Sequence, residues 1–203
     1  MNNYRNLETV ALIVSAGRGR RISGKTPKQY LPLGGETILS KTARVFINHK
    51  KIDAVRIVIH PDDQDLYDTA TGGLNLLSPV HGGPERQDSV RKGLESLEEL
   101  NPLNVLIHDS VRPFVSHSLI DRILNLLQDG KGCVPGLPIM DAIKMVDDGQ
   151  IVKSLERPKT WRIQTPQGFR FTQILAAHRS HIGNNLADDA AVAEAYGLSV
   201  NVV

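Results

Sequence analysis

Five cations, Arg18, Arg20, Arg21, Lys25 and Lys28, stand between Gly17 and Lys28 with no acidic residue among them. A cationic run of this kind can be no more than a solvated face. Here glycines are mixed in, and the apolar run VALIV at Val10 to Val14 comes just before. Glycines let backbone amides approach phosphate oxygens, and Gly17-Arg18-Gly19-Arg20-Arg21 with Pro27-Lys28 brings cations from opposite ends of one loop. That arrangement suits a nucleoside triphosphate attacked at its α-phosphorus. The charge to be stabilised then builds on the α-phosphate and the departing pyrophosphate.

Two better-known phosphate loops compete for the same stretch. GRRISGKT at Gly19 to Thr26 matches the P-loop pattern in full. A P-loop lysine and threonine begin a long helix whose amides hold the phosphates. Pro27, Pro32 and Gly34-Gly35 follow here instead, and they cannot support one. VLIHD at Val105 to Asp109 resembles an apolar strand ending in a magnesium-binding aspartate, a weak companion to that match. The dinucleotide fingerprint fits at Gly17 and Gly19 but meets Ile22 where a third glycine is needed for close strand–helix approach.

Elsewhere the chemically able residues have structural readings. His108 ends a predicted buried strand and reads as structural rather than as a base. Asp188-Asp189 reads as a helix cap rather than a metal site. Lys144 suits an exposed arm surface or a substrate contact equally. Cys133, the single cysteine, reads as a small core residue and excludes an internal disulfide.

The elements that must position these residues follow from apolar spacing. Strands are expected at Val10–Val14, Val55–Ile59, Asn75–Val80, Val105–Ile107 and Leu198–Val203. Helices are expected at Thr37–Asn48, Asp62–Ala70, Glu85–Leu100, after the cap Ser116, at Thr172–Ile182 and at Asp188–Tyr196. Alternating strands and helices imply an α/β fold, Rossmann-like, with a mostly parallel sheet covered by helices on both faces. Such sheets bind ligands at the carboxyl ends of their strands. The motifs at Gly17, Gly82 and Asp109 each follow a strand and can converge on that edge. Met140 to Leu155 breaks the pattern: two alternating segments around Asp148-Gly149 predict a projecting β-hairpin arm at about 139–158.

At 203 residues, 40% hydrophobic and 23% charged, the chain reads as a single domain over 1–203. A net charge of +2 is too small to argue for nucleic acid. No apolar run approaches a membrane span and the first residues lack a signal pattern, so the expected location is cytoplasmic.

SAGRGRR…PKQYLPLGGETIL, GGPERQDSV, HDSVRPF, DAIKMV…LERPKTWRIQTPQGF and ADDAAVAEAYG, in this order, resemble the 2-C-methyl-D-erythritol 4-phosphate cytidylyltransferase family of the non-mevalonate isoprenoid pathway. The resemblance runs from about Val10 to the end. It implies transfer of a cytidylyl group from CTP to methylerythritol phosphate, with Mg²⁺ held mainly by the nucleotide phosphates. By motif position it implies catalytic roles for Arg21, Lys28 and Arg157. Ser15, Ala16, Gly17, Gly19, Arg20, Gly83, Ser89, Ser110 and Arg112 fall where the family contacts the nucleotide. Asp109 and Arg157 fall where it contacts the second substrate. It also implies a homodimer with arm exchange, in which Arg157 reaches the partner's site. A phosphate monoester nucleophile is already charged near neutral pH, so positioning and charge stabilisation suffice and no strong base is needed.

The sequence departs from the family at Ala142 and Ala187, where threonine is frequent, and at Pro84, where some members are acidic. The family usually continues to an Asn-x-Lys segment whose lysine positions substrate, and some members are fused to a cyclodiphosphate synthase domain. The chain up to Val203 is compatible with being the first part of such a fusion. Two other readings stay open at this level: a cytidylyltransferase for another polyol phosphate such as ribitol 5-phosphate, and a non-catalytic nucleotide-sensing module.

Overall fold

The structure is a computed structural model that describes residues 7–18, 26–127 and 130–203. Among the described residues a seven-stranded sheet has the order β13-β7-β12-β6-β1-β4-β5. These strands are Val200–Val202, Gly132–Val134, Gln167–Arg170, Asn104–Asp109, Thr9–Ser15, Ala54–Ile59 and Val80–His81, respectively. β1 pairs in parallel with β4 on one side and β6 on the other. β12 alone runs antiparallel, between β6 and β7.

Helices cover both faces, as the strand–helix alternation predicts. α1 (Ile38–Ile47), α2 (Gln64–Thr71) and α4 (His117–Leu126) bury Leu39, Phe46, Tyr67, Ile120 and Ile123 against Ala11, Ile13 and Ile57. α3 (Arg86–Glu95), α5 (Phe171–Ser180) and α6 (Asp189–Ala195) bury Val90, Leu94, Ile174 and Val192 against Val10, Leu12 and Val105. Burying each large aliphatic side chain contributes about 1.5–3 kcal/mol. The alternation of neighbours along β1 assigns each residue to one layer or the other. Side-chain caps start three helices: Thr37 accepts from Ser40 N, Ser116 from Leu119 N, and Asp188 from Ala191 N.

Several boundaries differ from the sequence expectation. Asn75 to Pro79 makes one ladder-like bond, from Leu77 N to Val55 O, and pairing begins only at Val80. Pro79 has no N–H to give a ladder. α3 ends at Glu95 rather than Leu100: Ser96 bonds back to the Gly93 carbonyl, and Asn101 at φ 41 turns the chain. Leu97 is still fully buried in the turns beyond. No long helix follows Thr26. Lys28–Tyr30 is a single 3₁₀ turn, and a hairpin of β2 (Pro32–Leu33) and β3 (Glu36–Thr37) comes before α1. Gly34 and Gly35, both at positive φ, make its turn. The P-loop reading fails on that geometry.

The arm is present as β9 (Lys144–Asp147) paired with β10 (Gln150–Ser154). Asp148 and Gly149 take φ of 44° and 76°, as a two-residue I′ turn requires. Its base is a second small pairing, β8 (Gly136–Pro138) with β11 (Trp161–Ile163). No helix among the described residues is long and apolar enough to cross a membrane.

Gly168, in β12, shows how tightly the inserted strand packs. A Cβ there would stand 2.7 Å from Ile123 Cγ2 and 3.0 Å from Leu106 Cδ2, both in the core. Gly168→Val should lower unfolding free energy by about 1–3 kcal/mol through overpacking. Urea denaturation checks this, and an unchanged midpoint would show that the layer between β12 and α4 is looser than described.

Candidate active site

At the carboxyl ends of β1, β5 and β6 lies a cleft of about 510 Å³, lined by Ala16, Gly17, Arg18, Lys28, Gln29, Gly83, Glu85, Arg86, Ser89, Asp109, Ser110 and neighbours. The three sequence motifs meet here, as their positions after strands require.

The wall at the end of β1 is built from backbone. Gln29, buried at the start of the 3₁₀ turn, donates from Nε2 to the carbonyls of Ser15 (2.8 Å) and Gly17 (3.3 Å). This fixes the near and far ends of the loop to each other and places Lys28 beside Gly17. Among the described residues nothing would meet a Cβ at Gly17 within 4 Å, so its backbone is open on that side. Arg18 turns its guanidinium toward the start of α2, donating to Asp63 (2.7 Å), Asp62 (2.8 Å) and His60 Nδ1 (2.7 Å).

The opposite wall is the Gly82-Gly83 segment. Ser89 Oγ accepts from Gly83 N at 3.0 Å, and Lys92 Nζ donates to Gly82 O at 3.0 Å. A Cβ at Gly82 would sit 2.5 Å from Ala16 Cβ, so only glycine lets the two walls approach this closely.

The floor is the loop after β6. Asp109 lies between two guanidiniums: Arg112 Nε reaches Oδ2 at 2.9 Å and Arg86 Nη2 reaches Oδ1 at 3.4 Å. Arg112 also donates to Gln164 Oε1. Behind Asp109, His108 is fully buried. Its Nε2 lies 3.0 Å from the Arg112 carbonyl, which can only accept, so Nε2 carries the proton. Nδ1 then accepts from Thr165 Oγ1 at 2.9 Å, and Thr165 Oγ1 accepts from Asp109 N at 3.3 Å. His108 thus braces the loop as a neutral strut, and its role is structural, as expected. Cys133 is likewise a buried core residue, and burial pushes its thiol up to about 11.

Arg86 belongs to a longer chain of charges. The same Nη2 that approaches Asp109 lies 2.7 Å from Asp189 Oδ2. Asp189 is fully buried, with His178 Nε2 3.2 Å from its other oxygen but off the line of a hydrogen bond. Burial alone would raise this carboxyl; Arg86 and His178 outweigh it and hold it at about 2. Beside the cleft is a hollow of about 300 Å³ that shares Arg86 and Asp109 with it and adds Arg112, Gln164, Thr165, Gln167, Ala187 and Asp188.

Of the residues singled out from sequence, Ala16, Gly17, Lys28, Gly83, Ser89, Asp109 and Ser110 line the cleft. Ser15 lies beneath it, its carbonyl held by Gln29. Arg112 lines the adjoining hollow. Arg157 is outside both: it begins a 3₁₀ turn at the base of the arm and donates to the Met140 carbonyl at 3.3 Å. Gly19, Arg20 and Arg21 lie outside the described residues. Lys144 bonds Ser154 across the exposed arm. Asp188 caps α6 as expected, whereas Asp189 does not cap and is buried under Arg86. Sequence reading missed Gln29, Arg86 and Asp189. The first two sit inside the quoted motifs PKQY and GGPERQDSV, which was the available signal; nothing in the sequence pairs Asp189 with Arg86.

Residues 9–203 match the family model for 2-C-methyl-D-erythritol 4-phosphate cytidylyltransferase. A "Bifunctional enzyme IspD/IspF" of Paramagnetospirillum magneticum is 53% identical over 97% of this chain, and the chain spans 51% of that relative's length. A 2-C-methyl-D-erythritol 4-phosphate cytidylyltransferase of Cereibacter sphaeroides is 42% identical, covering 97% of this chain and 88% of its own. The crystal structure of a 4-diphosphocytidyl-2C-methyl-D-erythritol synthase from Anaerococcus prevotii superposes with a TM-score of 0.84 at 27% identity, covering 99% of this chain and 89% of that one.

The buried His108 gives the site a pH signature. Burial pushes its imidazole down to about 4, against about 6.5 in an unfolded chain. Between those values the unfolded chain holds a proton that the folded one lacks. Stability therefore falls as pH drops from about 6.5 to about 4, by about 3 kcal/mol from this group. Unfolding free energies at pH 7, 5.5 and 4 should show that slope in the wild type and a shallower one in His108→Gln. Equal slopes would mean that the imidazole is not held neutral.

Proposed function

The chain belongs to the 2-C-methyl-D-erythritol 4-phosphate cytidylyltransferase family, and from that premise we propose that it transfers a cytidylyl group from CTP to 2-C-methyl-D-erythritol 4-phosphate. The observation that carries this reading is the meeting of Gly17, Lys28, Gly83, Ser89 and Asp109 around one cleft. A phosphate oxygen of the methylerythritol phosphate forms a bond to the α-phosphorus of CTP. The bond from that phosphorus to the bridging oxygen breaks, and its electron pair leaves with pyrophosphate. No proton need be removed from the nucleophile at neutral pH.

Open backbone at Gly17 and the ammonium of Lys28 suit the triphosphate and its developing charge. Family position gives Arg21 the companion role. The close approach of Ala16 and Ser89 to Gly82 leaves limited room beside the Gly82-Gly83 backbone, which favours a pyrimidine over a purine. Asp109, held between two guanidiniums, presents a carboxylate of fixed orientation to the hydroxyls of the second substrate. Mg²⁺ supplies charge neutralisation on the phosphates when bound. Asp109 has both carboxylate oxygens engaged by guanidiniums, so this reading has Mg²⁺ held mainly by the nucleotide phosphates.

Arg157 enters this reading through a second copy of the chain. Ile151, Val146, Val152 and Met145 on the arm are all more than half exposed, and an isolated hairpin is marginal in water. A twofold partner's arm would cover them and bring Arg157 toward the partner's cleft.

Pyrophosphate release from CTP with 2-C-methyl-D-erythritol 4-phosphate is the direct test, run beside ribitol 5-phosphate and beside ATP, GTP and UTP. CTP with the methylerythritol phosphate should be strongly preferred; equal turnover with purine nucleotides would refute the pocket argument. Lys28→Ala should lower kcat by about 100- to 1,000-fold with a smaller change in KM for CTP. A change confined to KM would reassign Lys28 to ground-state binding.

A mixture of Lys28→Ala and Arg157→Ala chains tests the shared site. Random pairing should restore roughly a quarter of wild-type activity, because about half the dimers are mixed and each has one intact site. No recovery despite verified subunit exchange would place each site within one chain.

A further inference from the structure

Two adjacent acids begin α6, and only the first is needed to start it. Asp188 caps the helix and also accepts from Gln167 Nε2 at 2.9 Å. Asp189 points inward and is wholly buried. An ion pair with one member this deep is a poor device for stability, since apolar side chains of equal volume serve as well or better. Its partner is also not a core residue: the Arg86 side chain is about one-third exposed and lines both the cleft and the adjoining hollow.

We infer that Asp189 is a positioning residue for cytidylyl transfer, acting on the substrate-facing Asp109 through Arg86. The inference rests on the functional reading above. A single nitrogen, Arg86 Nη2, stands 2.7 Å from Asp189 and 3.4 Å from Asp109. With Asp189 anchored in the core, the guanidinium cannot swing into the cleft. It is held at one oxygen of Asp109 while Arg112 holds the other. His178, fully buried behind Asp189, backs the carboxylate from the α5 side.

The backbone around the pair is clamped independently of the charges. Gln87 Nε2 donates to the His181 carbonyl at 2.6 Å, and Gln87 Oε1 accepts from Leu186 N at 3.1 Å. The start of α3 thus stays in register with the α5–α6 connection when the ion pair is altered. Loss of Asp189's charge should loosen Arg86 and Asp109 without moving the helices.

The test is steady-state kinetics on Asp189→Asn, Arg86→Lys and the double variant, by pyrophosphate release, with thermal unfolding of each. A lysine keeps the charge but lacks the planar fork of arginine, so it cannot hold the same bridge. Each single variant should lower kcat/KM for the methylerythritol phosphate by about tenfold, within the range for members of one ion-pair network. KM for CTP should change less than about twofold, because the loop carrying Lys28 is held by Gln29 instead. The double variant should be no worse than Arg86→Lys by more than about twofold.

A merely structural role would lower kcat, and with it kcat/KM for both substrates by the same factor, and leave both KM values alone. That pattern would overturn the inference. So would wild-type kinetics in Asp189→Asn, or losses that multiply in the double variant. Should Asp189→Asn fail to fold, Arg86→Lys decides alone: unaltered kinetics with an unaltered Tm would overturn the inference. Absence of turnover in the wild type would instead remove the functional reading, and the variants would then have no baseline.

Discussion

In the parallel pairing of β1 with β6, Val14 lies opposite Asp109 and Ile13 opposite His108. Both strands are buried on both faces, so their side chains alternate between the two helical layers with no solvent side to absorb an error. At this register His108 falls on the α1 layer, where Phe46 packs 4.9 Å away, and Asp109 falls on the α3 layer, within reach of Arg86. A slip of one residue would exchange those faces, burying a carboxylate against Phe46 and sending the imidazole toward the cleft. The layered core that fixes this register therefore also fixes which group the cleft receives.

From that register the electrostatics follow. The cleft has cations around it, and its well-placed carboxylate is spanned by two of them. His108, behind Asp109, is held neutral by burial and occupied at both ring nitrogens. A site of this composition is poorly equipped to remove protons and well equipped to hold phosphate. Its polar parts are fixed from behind by Gln29, Thr165 and Ser89, which are buried. Donors locked in this way need no rearrangement as charge develops, which is where such sites gain most of their rate.

The layered α/β plan was legible because buried parallel strands and amphipathic helices leave distinct periods in the sequence. VALIV and VRIVI became β1 and β4, and the Asp148-Gly149 turn set the arm. β12 was not legible: four residues, Gln167–Arg170, form a strand only because they fit antiparallel between β6 and β7. Asn75 to Pro79 misled in the other direction, since its apolar character reflects packing rather than pairing. Within the site, the glycines, Lys28 and Asp109 were readable from types and spacing. Arg86 with Asp189 was not, because their partnership joins segments 103 residues apart. The adjacent acids at 188 and 189 look equivalent in sequence and differ only in which way each side chain faces.

The bond from Gln29 to the Ser15 carbonyl joins positions fourteen residues apart and so turns a stretch of open chain into a closed ring. The number of shapes available to a chain falls sharply when its ends are joined, and the free energy of joining grows only slowly, with the logarithm of the length enclosed. Here that entropy is surrendered once, during folding, through a buried side-chain amide bonded to backbone carbonyls. A ligand arriving at Gly17 and Lys28 would then meet two anchors already brought together and have only local order left to impose. Affinity at such a place depends on the bonds that hold its backbone as well as on the groups that would meet a ligand.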